Sequence, residues 1–299
     1  MHAIYVDSPA PDDTRRERLY DGDLFVYSPG PATSALCEFG RQLAEEAFAP
    51  HDPETAQEEM EVEDYAALLA DLKPRFIHDP ESKRLIQEML TDLGCDPEQV
   101  YFDVPRMRTS TSHGYLTSGI AYAFHPHRDT WYSAPQSQLN WWLPIYPITV
   151  DNGLAFHPRY WDTPVKNSSR TYNYAVWNAT SRQEAAKHVK SDTRVQPKPE
   201  EDIELDPQIR PICEPGGLTI FSAAQMHSSV PNTSGKTRFS IDFRTVHIGD
   251  AADERGAPNI DSECTGTTMG DYLRISDFEH VPDELIEAYD TPAPAGVGV

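Results

Sequence analysis

The chain has 299 residues, which is long enough to bury a substantial hydrophobic core. It carries 48 acidic and 25 basic residues, and its net charge of -23 argues against nucleic acid or an anionic membrane surface as a partner. The same charge favours either simple solubility or an electrostatic field that attracts a cationic small-molecule substrate.

Cysteine usage and hydropathy predict a reduced, cytoplasmic protein. The four cysteines stand at positions 37, 95, 213 and 264. None belongs to a CxxC pair, so we expect neither a disulfide framework nor a zinc site. The sequence has no apolar leader and no run of 18 apolar residues, which predicts a protein without a membrane span. Nothing in the sequence indicates an oligomeric state.

The first 98 residues are predicted to form an N-terminal arm and helices. Residues 1–33 are rich in proline, aspartate and glycine, which predicts an arm with one strand. Apolar residues then recur at helical spacing. The expected helices cover approximately 34–48, 65–73 and 79–94. The second is expected to end at Pro74, because proline interrupts the hydrogen bonds of a helix interior.

Residues 99–250 are predicted to form the β core. Short runs rich in aromatic and β-branched residues alternate with turn residues, a spacing typical of sandwiches and barrels. The expected strands are 101–109, 116–125, 137–146, 153–158, 217–222 and 237–247.

An insertion at about 159–212 interrupts these strands and contains Trp161, Tyr172, Tyr174 and Trp177. A connection this long is typical of a lid over a binding site. Adding a C-terminal extension at 251–299, we expect a single catalytic domain spanning 1–299.

The segment FHPHRDTW, residues 124–131, contains an HxD pattern. On a strand, His127 and Asp129 would point to the same face with backbone positions ~6.5 Å apart, within reach of one ion. His227 is the natural third ligand. Two histidines and one carboxylate leave open positions on the metal, as in non-haem iron(II) oxygenases. The HxD pattern alone is a weak signal, since isolated histidines and aspartates are common in turns.

A second pattern, RFSIDFR, begins eleven residues after His227 and alternates polar with apolar residues. Its polar positions are Arg238, Ser240, Asp242 and Arg244. On a strand they would share one face, which is either a solvent face or the wall of a barrel interior. In the second case Arg238 would form a bidentate pair with a carboxylate and Ser240 would be a further donor. Asp242 and Arg244 could also pair with each other.

The strand QSQLNWWLPI shows the same two-sidedness. Gln138, Asn140 and Trp142 lie on one face, and Trp141 lies on the other with two leucines. We interpret Trp141 as structural. Trp142 is either structural or part of a pocket wall.

From about residue 120 to 246 the order of motifs resembles the iron(II)/2-oxoglutarate dioxygenases, in particular the phytanoyl-CoA dioxygenase-like branch. The matching motifs are His127 and Asp129, the turn Asn152-Gly153, the turn Gly216-Gly217, the distal His227, and the pair Arg238 and Ser240. One departure is FHPRYW, residues 156–161, which stands where the family often has a PGSH-like run.

The resemblance implies a mainly β fold with flanking helices, a double-stranded β-helix or jelly-roll of the cupin-like kind. It implies that His127, Asp129 and His227 hold iron(II), and that Arg238 and Ser240 bind the far carboxylate of 2-oxoglutarate. It further implies that dioxygen oxidises a small organic metabolite, most often by hydroxylation in a biosynthetic pathway, while 2-oxoglutarate is decarboxylated to succinate. Halogenating relatives lack the carboxylate ligand, so halogenation is not expected here.

Further residues are candidates by position. Gln138 and Asn140 are assigned to co-substrate binding. Six others are expected to contact the substrate or support the metal ligands: Arg244, Trp142, His125, Arg106, Arg108 and Trp131. For the two arginines at 106 and 108, a structural salt bridge is an equally good interpretation.

Two other kinds of protein could use these residues. A cupin-like protein that only binds a metabolite, or that holds a different metal, could use a set of four histidines: His125, His127, His157 and His227. That set would leave Asp129, Arg238 and Ser240 without a role. A zinc hydrolase would need three ligands and a water but no arginine for a co-substrate.

Overall fold

The computed structural model describes residues 3–116, 125–180, 194 and 196–290. Within these ranges the chain forms seven α-helices and ten β-strands. The helices are α1 (Asp12–Tyr20), α2 (Pro31–Phe48), α3 (Val62–His78), α4 (Pro80–Asp92), α5 (Tyr174–Thr180), α6 (Ile248–Ala252) and α7 (Asp283–Tyr289). The strands are β1 (Ile4–Val6), β2 (Leu24–Tyr27), β3 (Val100–Phe102), β4 (Arg106–Ser110), β5 (Leu139–Pro144), β6 (Leu154–Phe156), β7 (Leu218–Ser222), β8 (His227–Ser229), β9 (Arg238–His247) and β10 (Leu273–Arg274).

The three long N-terminal helices lie close to their predicted positions, with one error. The side chain of Asp79 accepts a hydrogen bond from the backbone N–H of Glu81, which caps α4 next to its first-turn proline. The predicted end of α3 at Pro74 is wrong, because the helix continues to His78. Pro74 is exposed, while Phe76 two residues later is fully buried. Core packing therefore outweighs the lost helical hydrogen bond.

The N-terminal arm is more ordered than predicted. It contains α1 and two strands instead of a single strand, and β1 pairs in parallel with β2. Arg16 on α1 reaches the C-terminal side of the core, where its Nε donates to Asp250 over 2.7 Å. The arm is therefore part of the sheet edge.

Two sheets form the β core. The large sheet has the order β1-β2-β7-β5-β9-β3-β10, with β4 also paired to β9, and the small sheet consists of β6 and β8. Apolar side chains on one face of β5, β7 and β9 pack against helices α2, α3 and α4 in the main hydrophobic cluster. On the other face Phe221 packs edge-on against Phe156 of the small sheet, with ring centroids 4.9 Å apart. The polar face of β9 therefore looks into the space between the sheets.

His127 and Asp129 do not share one strand. The expected strand at 116–125 falls largely on residues 117–124, which lie outside the described residues. His127 makes an isolated bridge to His227, and Asp129 begins a 3-10 turn, Asp129–Tyr132. The backbone N–H of Asp129 donates to the carbonyl of Ala223 over 2.9 Å, and this contact turns the chain.

The insertion and the C-terminal extension pack on the same side of the core. The described part of the insertion contains two 3-10 turns and α5, and residues 181–193 and 195 lie outside the described residues. Asp261 of the extension accepts hydrogen bonds from Trp131 Nε1 (2.7 Å) and Arg128 Nε (3.1 Å). It also accepts from the backbone N–H of Val165 (3.0 Å). This buried carboxylate joins three distant segments of the chain.

Among the described residues, no helix combines the length and the apolar character that crossing a membrane requires.

Candidate metal and co-substrate site

Two histidines from distant parts of the chain meet through their backbones. The N–H of His127 donates to the carbonyl of His227 over 2.9 Å, and the reverse hydrogen bond measures 3.0 Å. This antiparallel bridge brings the two imidazole centroids within 4.4 Å of each other. Asp129 follows on the adjoining turn, and ligand atoms of all three residues lie within 4.8 Å of one another.

Hydrogen bonds fix the orientation of both imidazoles. Nδ1 of His127 lies 2.8 Å from the carbonyl oxygen of His125, and Nδ1 of His227 lies 2.9 Å from that of Gln225. A carbonyl only accepts, so each Nδ1 carries the proton and each Nε2 lone pair is available to a metal ion. Burial, with the neighbouring His127, lowers the pKa of His227 to about 4. His227 is therefore neutral at neutral pH, as a ligand must be.

Asp129 is held as a carboxylate. Burial raises its pKa, but the polar contact with His127 and the positive charge of Arg244 outweigh burial and hold the pKa well below its usual range. Nε2 of His127 lies 3.3 Å from Oδ1 of Asp129, and Nε of Arg244 lies 3.8 Å from Oδ2. The site thus combines two imidazole nitrogens with one carboxylate oxygen.

This donor set fits iron(II). Imidazole nitrogens and one hard carboxylate suit this ion, and three protein ligands leave positions open for further ligands. Neighbouring donor atoms at ~2.1 Å from one ion lie ~3 Å apart, so ligand atoms up to 4.8 Å apart would move closer together when an ion binds. The three residues line a cavity of about 390 Å³, into which the open positions would face.

Gln138 supports Asp129 and is itself oriented by a tyrosine. Its Nε2 lies 3.4 Å from Oδ2 of Asp129 and 2.9 Å from Oδ1 of Asn140. The hydroxyl of Tyr272, from the C-terminal extension, donates to Oε1 of Gln138 over 2.6 Å. Burial raises the pKa of Tyr272 well above its usual value, so the hydroxyl remains a donor. No motif in the sequence indicated this tyrosine.

Arg238 and Ser240 present unused donors inside the protein. Arg238 is only 5% exposed, and its Nη1 makes long contacts of 3.3 and 3.4 Å to the carbonyls of Asn152 and Gly153. Neither its Nε nor the hydroxyl of Ser240 has a hydrogen-bond partner among the described residues. Burial lowers the pKa of Arg238 to about 10, which leaves it charged at neutral pH. Unsatisfied buried donors are costly, so this pair fits the far carboxylate of 2-oxoglutarate.

The other candidate arginines form ion pairs along the same cavity. Arg108 donates to Asp242 through Nε (2.8 Å) and Nη2 (3.3 Å). Asp103 accepts hydrogen bonds from Nη1 of Arg106 (2.5 Å) and from Nη1 of Arg244 (2.8 Å). The proposed pairing of Asp242 with Arg244 is therefore wrong. Because β4 lies beside β9, Asp242 pairs across the sheet with Arg108.

Two candidates lie away from the cavity. Trp131 is fully buried beside Tyr160 and Met226, and its indole N–H donates to Asp261, so it does not line the cavity. Nε2 of His125 lies 2.9 Å from the carbonyl of Pro197. His125 contributes through its backbone carbonyl, which orients His127.

The four-histidine alternative is not assembled. Nε2 of His157 lies 3.0 Å from the hydroxyl of Ser228, and its Nδ1 lies 3.2 Å from the carbonyl of Leu205. Both nitrogens are therefore engaged. Among the described residues, the group suited to a metal is His127, Asp129 and His227.

Aromatic side chains line the cavity on the side of the insertion. They are Tyr132, Tyr172, Tyr174 and Trp177, with Trp142 from β5. Trp161, which we expected among them, instead packs against Ala224 and Ala257. Lys73 and Ile77 of α3 also line the cavity and were not predicted, because nothing in the helical pattern distinguishes them.

The comparisons with known proteins identify the family. The phytanoyl-CoA dioxygenase (PhyH) family matches residues 25–240, more than half of the chain. The chain belongs to this family. As a member, it is a non-haem iron(II)/2-oxoglutarate dioxygenase that uses dioxygen, and its fold is the double-stranded β-helix with flanking helices that the sequence predicts. In the described residues the two sheets do not join into a closed barrel.

Several solved structures are distantly similar to this PhyH-family chain. EvdO2 from Micromonospora carbonacea var. aurantiaca is 13% identical with a TM-score of 0.46, covering 80% of this chain and 91% of that protein. AviO1 from Streptomyces viridochromogenes Tue57 is 13% identical with a TM-score of 0.38, covering 79% and 96%. SnoN from nogalamycin biosynthesis, described as a non-heme alpha ketoglutarate dependent epimerase, is 12% identical with a TM-score of 0.37, covering 79% and 84%. No curated protein sequence matches the chain.

Replacing Tyr272 with phenylalanine tests the support of Asp129. Without the hydroxyl, Gln138 can turn its amide, so we expect Tyr272→Phe to weaken iron(II) binding about tenfold in an anaerobic titration. Tyr289→Phe is the matched control, because Tyr289 also belongs to the extension but donates to the carbonyl of Ala251. Equal iron affinities for wild type and Tyr272→Phe would contradict the assigned support.

The pH dependence of stability tests the burial of Lys73. Burial, with the charge of Arg108, lowers its pKa from 10.5 to about 7. Between these values the folded protein binds fewer protons than the unfolded chain, so this lysine makes the free energy of unfolding rise with pH.

Lys73→Met removes that contribution. Relative to wild type, we expect the variant to be most stable near and below pH 7, and this relative stability should decline as the pH rises towards about 10 in urea unfolding. Lys83→Met, on the neighbouring helix α4, is the matched control for the loss of a lysine. A pH-independent difference for Lys73→Met would disprove the shifted pKa.

Proposed function

We propose that this PhyH-family enzyme hydroxylates a small organic metabolite. In this proposal His127, Asp129 and His227 hold iron(II), while Arg238 and Ser240 hold the far carboxylate of 2-oxoglutarate. The observation that carries the proposal is the pair of unsatisfied donors, Arg238 Nε and Ser240 Oγ, in the same interior as the three ligand residues.

The protein's own groups position the reactants. Arg238 stays charged because burial lowers its pKa only to about 10, so it can form a charge-assisted hydrogen bond with an incoming carboxylate. Its guanidinium carbon lies 5.8 Å from the centre of the Trp142 ring, which limits its movement. Such a fixed donor would orient 2-oxoglutarate with its keto-acid end towards the three ligand residues.

Asp129 and its neighbours keep the ligand set charged and fixed. Gln138 contacts the carboxylate, and Asn140 accepts from Gln138, so both residues act on Asp129 in this proposal. When bound, iron(II) with 2-oxoglutarate and dioxygen supplies the oxidising power to remove a hydrogen from a C–H bond, with release of succinate and carbon dioxide. A retained carboxylate ligand favours hydroxylation over halogenation.

We also propose that residues 1–299 act as one catalytic domain, with the helices, the core and the extension all contributing. Lys73 comes from the helices, the ligand residues come from the core, and Tyr272 comes from the extension. A cytoplasmic location remains a prediction, supported by four cysteines that are all free.

Co-substrate binding tests the proposed residues. Anaerobic addition of iron(II) and 2-oxoglutarate should produce a visible charge-transfer band, and dioxygen should then convert 2-oxoglutarate to succinate. We expect Arg238→Gln to raise the KM for 2-oxoglutarate about 100-fold, because two charge-assisted hydrogen bonds are lost. His227→Ala should remove the band.

The control is Arg84→Gln, which alters an exposed arginine paired with Glu81 on the surface of α4. It should leave both the band and the KM unchanged. If Arg238→Gln bound 2-oxoglutarate as tightly as wild type, Arg238 would not be the co-substrate residue.

A further inference from the structure

An indole N–H in the wall of the cavity has no acceptor. Trp177 of α5 lines the cavity that also contains the three candidate metal ligands. Its Nε1 is buried and has no hydrogen-bond partner among the described residues. Buried polar groups in folded proteins almost always have a partner, and a molecule bound in the cavity can supply the one that is missing here. Because an indole N–H only donates, that partner must be an acceptor.

Two tryptophans that pack in the protein interior show the usual arrangement. Nε1 of Trp131 donates to Asp261 over 2.7 Å, and Nε1 of Trp141 donates to the hydroxyl of Thr245 over 2.8 Å. Each of these buried indoles is therefore satisfied within the chain. The contrast distinguishes Trp177 from the tryptophans that only stabilise the fold.

The position of Trp177 is fixed before any ligand binds. Its backbone N–H donates to the carbonyl of Asn173 over 3.0 Å, and the side chain of Asn173 donates to Thr265 of the C-terminal extension over 3.0 Å. The indole lies nearly parallel to the ring of Tyr174, at an angle of 23°, and the hydroxyl of Tyr174 donates to Asp271. A donor that is already held in place loses little freedom when it forms a hydrogen bond.

A row of aromatic rings connects Trp177 with the candidate metal site. We define the aromatic row as Tyr132, Tyr172 and Trp177, all of which line the cavity. The ring of His127 meets Tyr132 edge-on with centroids 5.6 Å apart, and Tyr132 meets Tyr172 edge-on at 5.4 Å. Tyr172 in turn lies 6.3 Å from Trp177. The row offers a continuous apolar surface for the flat body of a ligand.

We propose that Trp177 selects the substrate by donating its indole N–H to a neutral acceptor oxygen, such as a carbonyl, on a molecule whose flat ring packs on the aromatic row. This proposal rests on the proposed function, because it assigns the substrate of that same reaction. It opposes the expectation of a cationic substrate, since an ammonium group brings only donors and would leave the N–H without an acceptor. The cavity of about 390 Å³ must also hold 2-oxoglutarate, which limits the substrate to a small molecule.

The aromatic row also orients such a substrate. One end of the row touches His127, a candidate metal ligand, and the other end is the donor, Trp177. A substrate that uses both therefore places its acceptor oxygen away from the metal ligands and the remote part of its ring system near them. Holding a substrate in one orientation is what limits oxidation to one position.

Probes that share one ring system and differ in one group test the acceptor. They are 1-tetralone, tetralin and 1-aminotetralin, with 1-indanone, indane and 1-aminoindane as a second series. The ketone accepts a hydrogen bond, the hydrocarbon does not, and the protonated amine only donates. Each is titrated by calorimetry into anaerobic enzyme loaded with iron(II) and 2-oxoglutarate, while the charge-transfer band is followed. In at least one series we expect the ketone to bind about tenfold more tightly than the other two, with the band retained.

Replacing Trp177 locates the preference. Trp177→Phe keeps an aromatic ring but removes the N–H, so the ketone should then bind no more tightly than its hydrocarbon. Trp161→Phe is the matched control, because it makes the same replacement at a tryptophan that packs against Ala224 and Ala257 and does not line the cavity. This control should keep the preference for the ketone.

The indole N–H signals give a second measurement that needs no variant. The chain has five tryptophans, whose indole signals can be followed in a proton–nitrogen correlation spectrum of the enzyme with diamagnetic zinc(II) in place of iron(II). The ketone should move one indole proton downfield through the new hydrogen bond, and the hydrocarbon should produce no such shift. This measurement decides the question if Trp177→Phe does not give a normal thermal transition.

The outcomes separate this proposal from the proposed function. A wild-type enzyme without the charge-transfer band overturns the proposed function and this proposal with it. A normal band with no ketone preferred over its hydrocarbon overturns this proposal alone. It is also overturned if the amines bind more tightly than the ketones, if the preferred ketone displaces 2-oxoglutarate and abolishes the band, or if the preference survives in Trp177→Phe.

Discussion

Two backbone hydrogen bonds between His127 and His227 hold the candidate metal site together, because they join residues that are a hundred positions apart in the chain. The bridge fixes the distance between the imidazoles, and the carbonyls of His125 and Gln225 fix the orientation of the two rings. The side chains therefore have little freedom to lose when a metal ion binds. The backbone N–H of Asp129 donates to the carbonyl of Ala223, and the resulting turn places Asp129 next to the two histidines.

The strand β9 supplies the polar residues that lie beside the candidate metal site. Its apolar residues pack towards the helices, so its polar residues must face the interior between the sheets. Burial there would be unfavourable for isolated charges, and most of them are paired: Asp242 with Arg108, and Arg244 with Asp103. Among the described residues of this strand, Arg238 is the exception, because it has no carboxylate partner and its Nε has no hydrogen-bond acceptor. A bound ligand with a carboxylate best explains why this guanidinium is buried.

The sequence predicted the parts of the site that depend on short-range patterns. His127, Asp129, His227, Arg238 and Ser240 were identified from spacing and from resemblance to a family. The same-face geometry considered for His127 and Asp129 on a strand does not apply, because a tertiary contact with Ala223 turns the chain at Asp129. Tyr272 and Lys73 were missed for a related reason: each reaches the site from a distant segment whose local pattern is ordinary. Trp161 was misplaced because an aromatic residue in a long connection can face either a binding site or the core, and periodicity does not distinguish the two.

A crystal structure of the anaerobic enzyme with iron(II) and 2-oxoglutarate tests the central claim most directly. We predict one ion bound by Nε2 of His127, Nε2 of His227 and a carboxylate oxygen of Asp129. The far carboxylate of 2-oxoglutarate should lie within hydrogen-bond distance of Arg238 Nε and Ser240 Oγ. An ion bound at other residues, or a co-substrate turned away from Arg238, would contradict the account.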